Sequence, residues 1–124
     1  MRIPSPTSWT VSPQQAIEIQ REFAARVSEE DTLETIHSVA GVDVGLEGED
    51  HSIGRAAVVV LRFPELAPLD YAVARLPLTF PYVPGLLAFR EIPVILRALE
   101  QLETVPDVLI VDGHGRAHPR RHRF

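Results

Sequence analysis

The sequence predicts an α/β domain in which a three-strand antiparallel meander and a later parallel strand share one mixed sheet, with helices flanking it. Three observations carry this. Between Ser38 and Pro77, three β-prone stretches follow one another with only short polar or proline-containing links, the pattern of a meander. Val108 to Val111 is an apolar run without polar alternation, which predicts a strand buried on both faces in a mainly parallel setting. Two further stretches, around residues 16–27 and 86–102, carry apolar residues at spacings of three and four, the period of a helix.

The 124 residues are enough for one domain with a core of its own, read as an extended lead-in over residues 1–11 and a single domain over residues 12–124. The chain has no cysteine, which excludes a disulfide framework and thiolate metal sites. No apolar run approaches the roughly 18 residues of a membrane span, and the start lacks the apolar centre of a signal peptide. A soluble, cytoplasmic protein with no membrane partner is therefore expected. The net charge of −5 is unevenly spread. Residues 113–124 carry four of the twelve arginines and no acid, so residues 1–112 hold eight arginines against seventeen acids, a net of −9. Binding a polyanion needs that basic end, or a metal held by some of the acids, to offset the rest.

Each element has a local cause. Ser12, Pro13 and Gln15 predict a helix start, with Ser12 as N-cap, Pro13 in the first helical position and Gln15 completing a capping box. The stripe then runs through Ala16, Ile17, Ile19, Gln20, Phe23 and Ala24, and closes at Val27. From Ile36 the period becomes two. Val42 and Val44 share one strand face, and Gly41, Asp43 and Gly45 share the other. Glycine weakens a strand, so a carboxylate between two glycines marks either space kept for an approaching group or a solvent face of an edge strand. The polar turn Leu46–Gly54 leads to a second strand over Arg55–Phe63, and a third alternates from Leu69 to Pro77 with Tyr71, Val73 and Arg75 on its wetter face. Two prolines then bracket Tyr82 and Val83, making Phe80–Gly85 stiff. Such a loop either presents the Tyr82 ring or packs it onto the core. The helix over Leu86–Leu102 contains Pro93, which is expected to kink or split it near Arg90 and Glu91. The run Val108–Val111 ends in Asp112, and carboxyl ends of strands are where open α/β sheets build their sites, although Asp-Gly is also an ordinary turn. After it, Gly113 and Gly115 permit close approach, while His114, Arg116, His118, Arg120 and Arg121 offer charge suited to phosphate.

Three motifs, Gly41-Val42-Asp43-Val44, Phe80-Pro81-Tyr82-Val83-Pro84-Gly85-Leu86-Leu87-Ala88-Phe89-Arg90-Glu91 and Val111-Asp112-Gly113-His114-Gly115-Arg116-Ala117-His118-Pro119-Arg120-Arg121, together resemble endonuclease V. The resemblance runs from about Ser12 to Arg121. It implies a ribonuclease H-like fold and a DNA repair nuclease that cuts a phosphodiester bond one nucleotide removed from deoxyinosine, or acts on inosine in RNA. Mg²⁺ is the implied cofactor, with Mn²⁺ as a substitute. By resemblance, Asp43, Glu91 and Asp112 are catalytic metal-binding carboxylates, and His118 is a catalytic residue near the scissile phosphate. Tyr82 matches the strand-separating wedge, and Pro84 belongs to its loop. Gly85, Leu87 and Gly113 match the pocket for the flipped base, with Arg120 and Arg121 among the nucleic-acid contacts. Members of the family run to roughly twice this span, and their later part supplies further sheet cover and site residues. Two expectations follow: self-association through an exposed sheet, and, as the alternative to a working nuclease, a truncated, catalytically inactive fragment that keeps nucleic-acid or partner binding. A different ribonuclease H-like nuclease or transposase relative shares the carboxylate logic but gives no reason for the Pro-Tyr-Val-Pro-Gly loop.

Overall fold

The structure, a computed structural model, describes residues 1–3 and 9–113. Helix α1 spans Pro13–Ala24. Its start is the expected capping box: Ser12 Oγ accepts the Gln15 N–H at 3.2 Å, and Gln15 Oε1 accepts the Ser12 N–H at 3.0 Å. The helix stops at Ala24, three residues before the expected close at Val27. There the Arg26 N–H turns back to the Phe23 carbonyl at 2.9 Å, a tighter contact that ends the regular ladder.

Strands β1 (Ser38–Glu47), β2 (Ile53–Arg62) and β3 (Pro68–Pro77) form the predicted antiparallel meander. The pleat then separates two chemistries. Ala40, Val42, Ala56, Val58, Val60, Ala72 and Ala74 are buried on one face, whereas Gly41, Asp43, Ala57, Val59, Tyr71, Val73 and Arg75 are exposed on the other. Helix α2 (Ala88–Glu100) covers the first face with Val94, Ile95, Ala98 and Leu99. Pro93 lies inside α2 without splitting it, contrary to the expectation. The ring removes the N–H that would reach the Phe89 carbonyl, but Phe89 before it and Val94 and Ile95 after it are buried, and that apolar cover outweighs one missing hydrogen bond.

Strand β4 (Val108–Val111) pairs with β1 in parallel, Val39 opposite Val108 and Val42 opposite Val111. The sheet order is β3-β2-β1-β4, which makes a ribonuclease H-like mixed sheet with two helices among the described residues. The prediction that β4 is buried on both faces is corrected here. It lies at an edge, with Leu109, Ile110 and Val111 exposed, because among the described residues nothing pairs with its outer side. No helix among the described residues is long and apolar enough to cross a membrane.

Two carboxylates fasten the turns. Asp107 accepts the N–H groups of His37 at 2.8 Å and Ser38 at 3.1 Å, and Ser38 Oγ accepts the Asp107 N–H at 3.1 Å, so β1 and β4 start together. Asp70 accepts the N–H groups of Glu103 at 2.8 Å and Thr104 at 3.0 Å, tying the link after α2 to β3. Donated backbone N–H groups hold both carboxyls below the ordinary carboxylate value, those of Thr104 and Glu103 at Asp70 and that of His37 foremost at Asp107. The lead-in also packs: Met1 and Ile3 lie against the sheet core, Trp9 and Val11 against a second cluster of Ala16, Phe80, Leu86 and Phe89.

Candidate metal and nucleic-acid site

Three acids distant in sequence influence one another electrostatically: Asp43 in the middle of β1, Glu91 in the first turn of α2, and Asp112 directly after β4. Asp43 lies on the exposed face of β1 and accepts the Val44 N–H at 2.9 Å. The parallel register ends at Val42 opposite Val111, so Asp43 and Asp112 are each the next residue along their chains after that last pair. Glu91, in the first turn of α2, is half-buried.

The electrostatics of Glu91 report the convergence. Burial, then the charge of Asp43, then that of Asp112 push its carboxyl above the ordinary glutamate value of 4.5, and Arg90 opposes them. Like charges are held together here with too little positive charge to balance them. Such a set of hard oxygen donors suits a divalent cation of the Mg²⁺ or Mn²⁺ type. Among the described residues, which include all three acids, no three acid or imidazole groups stand close enough together to hold a metal ion.

The same feature sets a pH dependence. A carboxyl raised in the folded state stabilises the fold below 4.5, and that contribution is lost as pH rises through the raised value. In metal-free buffer at neutral pH, Glu91→Gln should therefore melt higher than the parent. The gain expected is roughly 2–4 °C, or about half a kcal/mol after solvent screening, and it should vanish near pH 4. Thermal melts in a chelator across that range check it; a lower melting temperature at neutral pH would show that Glu91 is not strained by its neighbours.

The loop before α2 is built for rigidity. The Leu86 N–H donates to the Val83 carbonyl at 2.9 Å across Pro84 and Gly85, and Gly85 has φ 84°, the proline-glycine pattern of a type II turn. Any other L-residue is strained at that φ. Gln20, buried in α1, donates from Nε2 to the Gly85 carbonyl at 2.8 Å. The anchored turn leaves Tyr82 68% exposed, with the Arg90 guanidinium 5.9 Å from its ring centroid. Tyr82 is thus presented outward, and the alternative of a ring packed on the core is ruled out. Pro84 and Leu87 are exposed beside it, and Leu87 is the N-cap of α2.

Of the residues singled out by sequence, Asp43 and Asp112 act electrostatically on Glu91 without the three closing into a cluster that could hold a metal ion, and Tyr82, Pro84, Gly85 and Leu87 share the loop and helix start before Glu91. Gly113 follows Asp112 and is exposed. His118, Arg120 and Arg121 lie outside the described residues. Sequence reasoning missed Gln20 and Arg90 as supports of the loop. A glutamine in an otherwise apolar helical stripe was the available signal for the first; nothing local marked the second.

The family model for endonuclease V matches residues 21–122. Endonuclease V of Trichormus variabilis is 47% identical over 122 residues, covering 98% of this chain and 55% of that protein. Among solved structures, endonuclease V of Streptomyces avermitilis aligns with a TM-score of 0.83 at 41% identity, over 94% of this chain and 51% of the other. Endonuclease V of Ciona intestinalis, solved with a 23-mer DNA containing an inosine followed by a ribo-adenosine, aligns with a TM-score of 0.77 at 28% identity, over 90% of this chain and 51% of the other. The chain spans about half the length of the relatives it matches. A match that runs through both the carboxylate-bearing strands and the proline-bracketed loop leaves one assignment: this chain belongs to the endonuclease V family.

Proposed function

We propose that this chain supplies the metal site and the lesion-recognising loop of a Mg²⁺-dependent DNA repair endonuclease that cuts beside deoxyinosine. The observation that carries the reading is the convergence of the Asp43 and Asp112 charges on half-buried Glu91. The chemistry a Mg²⁺ ion would supply there is polarisation of a phosphate oxygen and a lowered pKa for an attacking water. Asp43, Glu91 and Asp112 are the residues that would hold such an ion, and because a carboxyl must be ionised to bind it, binding should weaken as pH falls. His118 lies near the scissile phosphate in this reading, and Arg120 and Arg121 contact the nucleic-acid backbone.

Recognition falls to the loop. Tyr82 stacks into the opened duplex while Gly85, Leu87 and Gly113 line the pocket for the flipped base, their backbone groups reading its edge. Inosine in RNA is the second substrate, favoured by the ribo-adenosine in the nucleic acid bound by the Ciona intestinalis relative. A chain left alone also self-associates through the sheet face that is open among the described residues, with reduced or no cutting.

Tyr82→Ala tests the reading. Stacking on aromatic side chains is worth about 1–3 kcal/mol per base, so the variant should bind an inosine-containing duplex roughly 5- to 150-fold more weakly. The melting temperature should not move, because the ring is already exposed. Fluorescence anisotropy in a chelator, which prevents cutting, gives both affinities. Equal affinities, or no preference of the parent for inosine over guanosine duplexes, would remove the recognition role.

A further inference from the structure

The β2–β3 register sets Arg55 directly opposite Arg75, on the sheet face turned away from α2. Like charges held opposite one another destabilise a sheet, so the pair needs an offset. Glu47 of β1 supplies one, accepting from Arg55 Nη1 at 2.8 Å and from Arg75 Nε at 2.9 Å. Two guanidiniums thus share one carboxylate, and one positive charge is left over. Each fork commits a single nitrogen to Glu47, which is the only acid among the described residues that pairs with either arginine. Held in this way, the side chains of Arg55 and Arg75 stay 47% and 57% exposed.

The position of the pair points to its ligand. Arg55 is partnered with Gly45, and its Nη2 lies 3.5 Å from where a Cβ on that glycine would stand, so the fork reaches over β1 two residues beyond Asp43. Two residues of strand are about 6.7 Å. Because β1 and β3 both run against β2, their last residues lie together with the first residues of β2. The Leu78 N–H donates to the Ser52 carbonyl at 2.7 Å, which fastens the start of the proline-bracketed loop at that same end. In residues 1–112 acids outnumber arginines seventeen to eight, and that field repels a polyanion. An arginine pair with a charge to spare, beside the loop that presents Tyr82, offsets the repulsion where a nucleic acid would approach.

We propose that Arg55 and Arg75, preset by Glu47, bind a phosphodiester of the nucleic-acid backbone next to the one presented to Asp43. Guanidinium forks match phosphate oxygens two at a time, and a pair already held side by side loses little freedom on binding. The contact carries no base information; it holds the strand in register while Tyr82 reads the distortion. That the polyanion is a duplex with a lesion rests on the endonuclease reading above, whereas the salt-dependent grip of the arginine pair does not.

Arg55→Gln and Arg75→Gln, each of which leaves a neutral pair with Glu47, test this by fluorescence anisotropy in a chelator, on inosine and guanosine duplexes over a range of salt concentrations. Each should weaken binding to both duplexes roughly tenfold and make log affinity fall less steeply with log salt, by about 0.9, the share of one phosphate contact. The ratio of inosine to guanosine affinity should hold. Arg62→Gln removes the same charge from the other end of β2, about 23 Å away, and should leave the slope as it is. A double variant, Arg55→Lys with Arg75→Lys, keeps both charges and should keep the slope, which separates lost charge from a disturbed fold. An unchanged slope in either glutamine variant, an equal drop in Arg62→Gln, a slope lost in the lysine variant, or a parent that binds no duplex would each overturn the proposal. A parent that binds both duplexes alike, with a slope that depends on the two arginines, would keep this site and remove the lesion reading instead.

Discussion

Asp43→Ala should weaken Mn²⁺ or Mg²⁺ binding at least a hundredfold, about 2.8 kcal/mol, without unfolding the chain. Its carboxylate is exposed, its one described hydrogen bond is to the next residue's N–H, and no core side chain leans on it. Removing it should therefore cost the fold little and the cation much, because Asp43 and Asp112 are the two like charges that raise Glu91, against Arg90. The variant also relieves Glu91 of one repulsive neighbour. Its carboxyl should move back toward the ordinary value, which a pH titration of Glu91 by NMR reads independently of any metal. Calorimetric titration of parent and variant gives the affinities. Matching heats from the two would mean that the acids meet without forming a cation site.

Phe89→Ala should cost about 3–5 kcal/mol, a large part of the whole stability of a domain this size. Phe89 is 2% exposed, and its ring lies 5.4 Å from both Trp9 and Phe80, centroid to centroid. It is where the lead-in, α1, the proline-bracketed loop and the start of α2 meet. Truncation leaves a cavity under the turn that sets Tyr82 and within two residues of Glu91. Affinity for inosine duplexes should fall with stability, whereas Phe89→Leu, which keeps most of the volume, should recover much of both. Chemical denaturation measures the change; a loss below about 1 kcal/mol would show that this cluster does not hold the loop.

Local chemistry made much of this legible. The meander was readable because each strand alternates between a face α2 covers and a face left open, and α1 because Ser12, Pro13 and Gln15 cap it in sequence. Val108–Val111 shows the limit of such reading: its composition is that of an inner strand, but burial depends on neighbours, and the described residues supply only one. Pro93 does not split α2 because the cost of one lost hydrogen bond is local while the apolar cover holding the helix comes from the sheet. Residue by residue the carboxylates did not read as a group, and Glu91 alone did not read as a site; the resemblance to endonuclease V joined residues 43, 91 and 112, which lie far apart in sequence. The clamps were illegible for the same reason, since Gln20 and Gly85 are 65 positions apart, and Ser38 and Asp107 are 69.

Site-specific cleavage bears most directly on the endonuclease reading. Joining this chain to the part of the Trichormus variabilis relative outside the matched region gives one polypeptide of about that relative's length. Assayed on a duplex with one deoxyinosine, the fusion should nick with Mg²⁺ one nucleotide away from that base, leaving 3′-hydroxyl and 5′-phosphate ends. It should leave the matching deoxyguanosine duplex whole and fall silent in a chelator or with Asp43→Ala. Equal cutting of the two duplexes, or inosine-directed cutting that survives Asp43→Ala, would contradict the account.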